Sequence, residues 1–142
     1  MARVITLDAN VVIANLASTD SHHARTIVLL EDRQRAGFAS SALAVAEALV
    51  HPTRTGQHDA ALAGLNTIGL QIVPVAEADV MGLARIRSQY RVRMPDAVAL
   101  HLAIATTSEL ATFDDTLAGA ARLAGGCRRR LAVWVPRRPR RR

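Results

Sequence analysis

The chain has 142 residues, half of them apolar and about a fifth charged, which fits one soluble globular domain with a core of its own. Its one cysteine, Cys127, excludes an internal disulfide framework. The longest uncharged stretch, Ala60–Ala76, holds Asn66, Gln71, Pro74 and two glycines and falls short of the roughly 20 apolar residues that span a bilayer.

The net charge of +6 is unevenly placed. All 18 basic residues are arginine, and eight of them lie in residues 128–142. The body, residues 1–127, has 10 Arg against 12 Asp and Glu, a formal charge of −2. The pI of 11.3 therefore belongs to the last residues and does not by itself make the fold a nucleic-acid binder. Met1 leads straight into an apolar run without a signal-peptide layout, and with the single cysteine this predicts a cytoplasmic protein.

In chain order, short β-type runs alternate with longer helical patterns. Arg3–Leu7 is an apolar strand, Ala9–Ala17 a helix, and His22–Arg35 a second helix with Ile27, Leu30 and Glu31 at amphipathic spacing. Gly37–Ser40 is a brief strand. Ser40 or Ser41 then caps an alanine-rich helix that runs to Val50, and Pro52 is expected to stop it. Gln57–Asn66 is helical, Leu70–Val75 a strand and Glu77–Tyr90 a helix. Pro95 opens another helix to about Thr107. Glu109–Phe113 is a strand, Thr116–Ala124 a helix and Leu131–Val135 a last strand. Such alternation predicts an α/β fold, a mostly parallel sheet with helices on both faces. Residues 137–142, nearly all arginine, read as a low-complexity extension to a domain over 1–136.

In an open parallel sheet, ligands bind at the carboxyl ends of the strands. Asp8 ends the first strand and Asp114 follows Thr112-Phe113 at the end of another. Asp96, directly after Pro95, sits in the first turn of a helix that starts at the same edge. Glu47 is the only charge between Ser40 and Val50, with Leu43 and Val50 on its helix face. A carboxylate there is costly to bury unless something pairs it, and the alternative is that this face lies open to water. Four carboxylates on one edge raise each other's pKa values. A hard divalent cation with oxygen ligands, Mg²⁺ or Mn²⁺, resolves the repulsion. It also activates a bound water and stabilises charge on a phosphoryl oxygen. Asn10, two residues after Asp8, and Thr112, two before Asp114, are placed to hold that water or orient ligands; their structural alternatives are a helix cap and an ordinary strand residue.

Leu7-Asp8-Ala9-Asn10, Glu47 in a small apolar helix, Pro95-Asp96-Ala97 and Thr112-Phe113-Asp114 together resemble the PIN-domain nucleases. Within that family they are most similar to VapC toxins of bacterial toxin–antitoxin pairs, over residues 3–136. The resemblance implies a three-layer α/β/α sandwich with a sheet of about four to five strands. It implies a Mg²⁺-dependent endoribonuclease, with Asp8, Glu47, Asp96 and Asp114 as catalytic and metal-site carboxylates. It implies cleavage by in-line attack of water, leaving 5′-phosphate and 3′-hydroxyl ends on an RNA substrate. A homodimer and a cognate VapB-type antitoxin are implied as partners. Asp115 follows Asp114, and the T-x-D spacing favours Asp114 as the metal-facing residue.

Arg91 and Arg93 stand just before Pro95-Asp96, where their guanidinium groups can meet RNA phosphates. The arginines of residues 137–142 either add salt-sensitive RNA affinity or only solubilise the chain. The five histidines show no metal-ligand pattern, Trp134 reads as core, and four aromatic residues make no base-stacking platform. A haloacid dehalogenase-like phosphatase needs a second Asp where Asn10 stands and generally a Lys, which the chain lacks. No glycine-rich turn follows the first strand, which excludes dinucleotide binding. The remaining rival is a catalytically inactive PIN-like scaffold that binds RNA or protein through its basic segment.

Overall fold

Short runs of apolar and small residues form the sheet of the computed structural model, which describes residues 3–125 and 133–134. The strands are β1 (Ile5–Leu7), β2 (Phe38–Ser41), β3 (Leu70–Val73), β4 (Glu109–Ala111) and β5 (Val133–Trp134). Their order is β3-β2-β1-β4-β5, and every pairing is parallel. The helices are α1 (Ala9–Leu16), α2 (His23–Asp32), α3 (Ala42–Ala48), α4 (Val50–Arg54), α5 (His58–Thr67), α6 (Val80–Tyr90), α7 (Met94–Ala105) and α8 (Asp115–Gly125).

A parallel sheet is stable only when both faces are covered, and two separate cores do this. On one face Ile5, Leu7 and Phe38 pack with Val11 and Val12 of α1, Leu29 and Leu30 of α2, Val45 of α3 and Leu65 of α5. On the other, Leu110 packs with Leu83 and Ile86 of α6, Val98 and Leu100 of α7, and Leu117 and Ala121 of α8. The expected three-layer sandwich with a sheet of up to five strands is what forms. The direction of strand addition reverses between β1 and β4, so the topological switch point lies at the middle of the sheet. No helix among the described residues is long and apolar enough to cross a membrane.

Several boundaries differ from expectation for local reasons. Pro52 does not end a helix. The alanine-rich helix stops at Ala48, and Pro52 lies within α4 as its third residue, where the missing N–H has no intrahelical partner to lose. Ser41, not Ser40, caps α3, its Oγ accepting the Ala44 amide at 3.0 Å. Ser40 instead donates to the Leu7 carbonyl at 2.8 Å, tying the end of β2 to the end of β1. Of the last strand only Val133 and Trp134 are described; Leu131, Ala132, Val135 and the segment 137–142 lie outside the described residues.

The expected helix from Glu77 begins as a 3₁₀ turn, Glu77–Asp79, before α6. Asp79 Oδ2 accepts the Ala76 amide at 2.8 Å, and its Oδ1 lies 2.9 Å from His101 Nε2 on α7. The amide and then the histidine hold the Asp79 carboxyl below the usual carboxylate range. Gly82 makes this crossing possible, since a Cβ there would lie 2.4 Å from His101 Cε1. Gly82→Ala is therefore expected to destabilise the fold although alanine favours helices by about 1 kcal/mol, because overpacking costs about 1–3 kcal/mol. Thermal unfolding checks it: a lower Tm in Gly82→Ala, largely restored by adding His101→Ala.

Candidate active site

Asp8 leaves β1 at the carboxyl edge and becomes the N-cap of α1, its Oδ1 accepting the Ala9 amide at 2.8 Å. The β1–β4 ladder continues past the strand through the Asp8 amide and the Ala111 carbonyl, 3.0 Å apart. The chain then turns out of the sheet, and Thr112 is buried completely. Its hydroxyl donates to Asp8 Oδ2 at 2.8 Å and accepts from Asn10 Nδ2 at 3.4 Å and the Asp114 amide at 3.0 Å. Thr112 is thus neither an ordinary strand residue nor an open water ligand. It is a hub that joins both sides of the switch point. Asn10 is not a helix cap: its Oδ1 accepts the Phe113 amide at 3.2 Å, so the whole side chain braces the turn after β4.

Asp114 caps α8, accepting the Thr116 and Leu117 amides at 2.8 and 3.2 Å through Oδ1. Asp96 lies in the first turn of α7, 6% exposed, with its Oδ2 3.6 Å from Arg93 Nε. Asp8 is 5% exposed. Burial pushes its pKa up to about 6 against the opposing Thr112 and Ala9 hydrogen bonds, and the charges of Asp96 and Asp114 push it further. Asp96 is also raised, first by burial and then by Asp114, with Arg93 pulling the other way. The charges of Asp96 and Asp114 thus act on Asp8, and that of Asp114 on Asp96, at one edge.

The other expected site residues fall differently. Glu47 is exposed, and so is its helix face, with Leu43 at 49% and Val50 at 45%. Of the two alternatives for Glu47, the open face is the one that holds; the face of α3 that packs inward is Ala44, Val45 and Ala48. Asp115 is exposed in the first turn of α8 and, with Arg91, lines a depression of about 370 Å³ beside the acidic edge. Arg91, at φ +52, ends α6 in the left-handed conformation. Of the two arginines only Arg93 pairs with a site carboxylate.

One neighbour was not legible in the sequence. The His22 ring stacks on Phe113 with centroids 4.0 Å apart, and Trp134 meets Phe113 edge-on at 5.7 Å. Phe113 lies between Thr112 and Asp114, so this packing holds the turn that carries both.

The donor set is all oxygen, and two of its carboxylates are buried, their pKa values raised first by burial and further by neighbouring carboxylate charge, which suits a hard divalent cation. As placed, no three His, Cys, Asp or Glu groups among the described residues surround a single point. Asp8 and Asp114 each have one oxygen engaged in a helix cap instead.

Residues 5–123 match the PIN domain family. No curated protein sequence matches the chain significantly. Solved structures superpose over most of it. A toxin–antitoxin complex from Klebsiella pneumoniae has a TM-score of 0.68 at 24% identity, covering 81% of this chain and 91% of that one. FitAB bound to an IR36 DNA fragment gives 0.71 at 21%, covering 93% and 94%. VapBC2 from Rickettsia felis, bound to a promoter DNA fragment, gives 0.62 at 14%, covering 93% and 98%. At these identities the likeness is one of fold.

Proposed function

The chain belongs to the PIN domain family, whose members are generally nucleases, and from that premise we propose that it is a metal-dependent endoribonuclease, the toxin of a toxin–antitoxin pair. The observation that carries the reading is the mutual charge of Asp8, Asp96 and Asp114 at the switch point, two of them buried and raised. Asp8, Asp96 and Asp114 would hold Mg²⁺ or Mn²⁺, with Glu47 as an outer carboxylate from α3. The ion, when bound, supplies a water of lowered pKa and neutralises charge on the phosphoryl oxygen.

The chain's own groups set that site up. Thr112 fixes the rotamer of Asp8 and aligns the Asp114 amide, and Asn10 locks the turn between them. Arg93, exposed and beside Asp96, is placed to meet a phosphate of the incoming strand. Asp115 and Arg91 flank the site without entering it. Similar folds occur in toxin–antitoxin complexes, which supports a cognate VapB-type antitoxin; a homodimer and a cytoplasmic place of work belong to the same proposal.

The test is cleavage of total cellular RNA by purified protein with Mg²⁺, with EDTA, and with Asp96→Asn. Discrete cuts leaving 5′-phosphate and 3′-hydroxyl ends, lost under EDTA and in the variant, are expected. Ends carrying 2′,3′-cyclic phosphate, or cuts that persist in both controls, would overturn the mechanism.

A further inference from the structure

The depression of about 370 Å³ beside the acidic edge lies where α6 ends and α8 begins. Chain neighbours fix its place: Asp115 directly follows Asp114, and Arg91 stands two residues before Arg93, which pairs with Asp96. Ligand pockets run to roughly 300–1,000 Å³, so this one has room for a single nucleotide and not for a folded partner. Tyr90 lines it and is packed against the core, which fixes its ring as a wall. Leu123 of α8, 73% exposed, adds apolar surface that a base can cover. Gly119 lies between them in sequence, and a Cβ there would meet nothing within 4 Å. Glycine inside a helix lowers its stability; here the missing side chain leaves the space open.

The two charged residues of the lining are both unengaged. Arg91 ends α6 at φ +52, a conformation that glycine takes without strain and arginine does not. The substitution of side chain for hydrogen places a guanidinium on the rim. Asp115 lines the same space, and among the described residues neither it nor Arg91 forms an ion pair. Opposite charges that share a depression without pairing suit a ligand with an anion at one end and N–H donors at the other. A nucleotide is such a ligand.

We propose that this depression is a subsite for one nucleotide of single-stranded RNA next to the scissile phosphate, and that it prefers guanine. The proposal rests on the nuclease reading for RNA as substrate and adds which base is read beside the cut. The base stacks on Tyr90, and Arg91 takes a phosphate oxygen pair through its planar fork. Asp115 reads the base edge, because a carboxylate only accepts hydrogen bonds and has two oxygens to do so. Guanine presents N1–H and N2–H₂ side by side on its Watson–Crick edge, and no other base offers two adjacent donors there.

The test uses the full chain carrying Asp96→Asn, so that RNA is bound without being cut. The probes are labelled single-stranded oligouridylates in which one central residue is G, A, C, U or inosine. The guanine probe should bind at least about fivefold more tightly than the A, C and U probes, the scale of one bidentate base contact. Inosine, which lacks the N2 amino group, should lose most of that gain. Asp115→Asn should abolish the preference, and Arg91→Gln should weaken every probe by a similar factor. Gly119→Leu, at a helical position with room for a side chain, should keep the Tm and lose the preference by filling the space. No base preference, or a guanine preference that survives Asp115→Asn or a folded Gly119→Leu, would overturn the proposal. Were Gly119→Leu unfolded, Asp115→Asn alone would decide. Guanine-selective binding without any Mg²⁺-dependent cleavage by the wild type would sink the nuclease reading and leave the subsite standing; cleavage indifferent to both substitutions would do the reverse.

Discussion

Asp8→Asn is expected to cut RNA cleavage severely and, without divalent cation, to make the protein more stable at pH 8. Both follow from one fact, that burial places Asp8 near pKa 6 in the fold against 3.8 in the open chain. Above pH 6 the fold must hold a charge that the unfolded chain holds more easily. The stability Asp8 contributes is therefore full below about pH 4 and is lost as pH rises through 6; Asp96 is shifted in the same direction. A shift of this size corresponds to about 3 kcal/mol; asparagine still accepts the Ala9 amide but turns its N–H₂ toward the Thr112 hydroxyl, so it should recover only on the order of 1 kcal/mol. Activity should fall by about 10²–10³-fold, the scale for losing one preorganised electrostatic group. Thermal unfolding of both proteins from pH 5 to pH 8 checks the first half, with the curves converging on the acid side. A variant less stable than wild type at pH 8 would contradict the assigned burial cost.

Thr112→Val should be the most damaging change that removes no carboxylate. Valine keeps the shape but strands three partners: Asp8 Oδ2, Asn10 Nδ2 and the Asp114 amide. Each buried group left without a partner costs about 1–3 kcal/mol, so a loss of at least 2 kcal/mol is expected in urea unfolding. Outer-shell partners of metal ligands are worth about 10–100-fold in affinity or activity, so the apparent Mg²⁺ requirement for cleavage should rise by that factor. Thr112→Ser keeps the hydroxyl and should restore most of both. Normal Mg²⁺ dependence in Thr112→Val would reduce the hub to a structural latch.

Much of this site is legible along the chain because its acids sit at element boundaries. Asp8 follows an apolar strand, Asp96 follows a helix-opening proline, and Asp114 follows Leu110-Ala111-Thr112. What fails is inference from side-chain size. On α3 the large residues Leu43 and Val50 face outward while Ala44 and Ala48 face in. The helix packs against α1, whose own buried residues include Ala9 and Ala14, and small residues allow that close approach. A reading that equates bulk with burial therefore leaves the environment of Glu47 undecided. The strand predicted to run to Phe113 ends at Ala111 for another reason. Thr112 and Phe113 have the β propensity of strand residues, yet their partners, Asp8, Asn10 and His22, lie about a hundred residues away. Long-range pairing of that kind leaves no periodic trace.

The switch point also orders events during synthesis. Asp8 belongs to the half built from β1 to β3 and α1 to α5, whereas Asp96, Thr112 and Asp114 arrive with the half that supplies α7, β4 and α8. A growing chain that ends before Glu109 has no β4 to lie beside β1 and no threonine to orient its first aspartate. The acidic edge is assembled only when the late half closes over the early one. The nascent polypeptide thus lacks the complete acidic edge through most of its own translation.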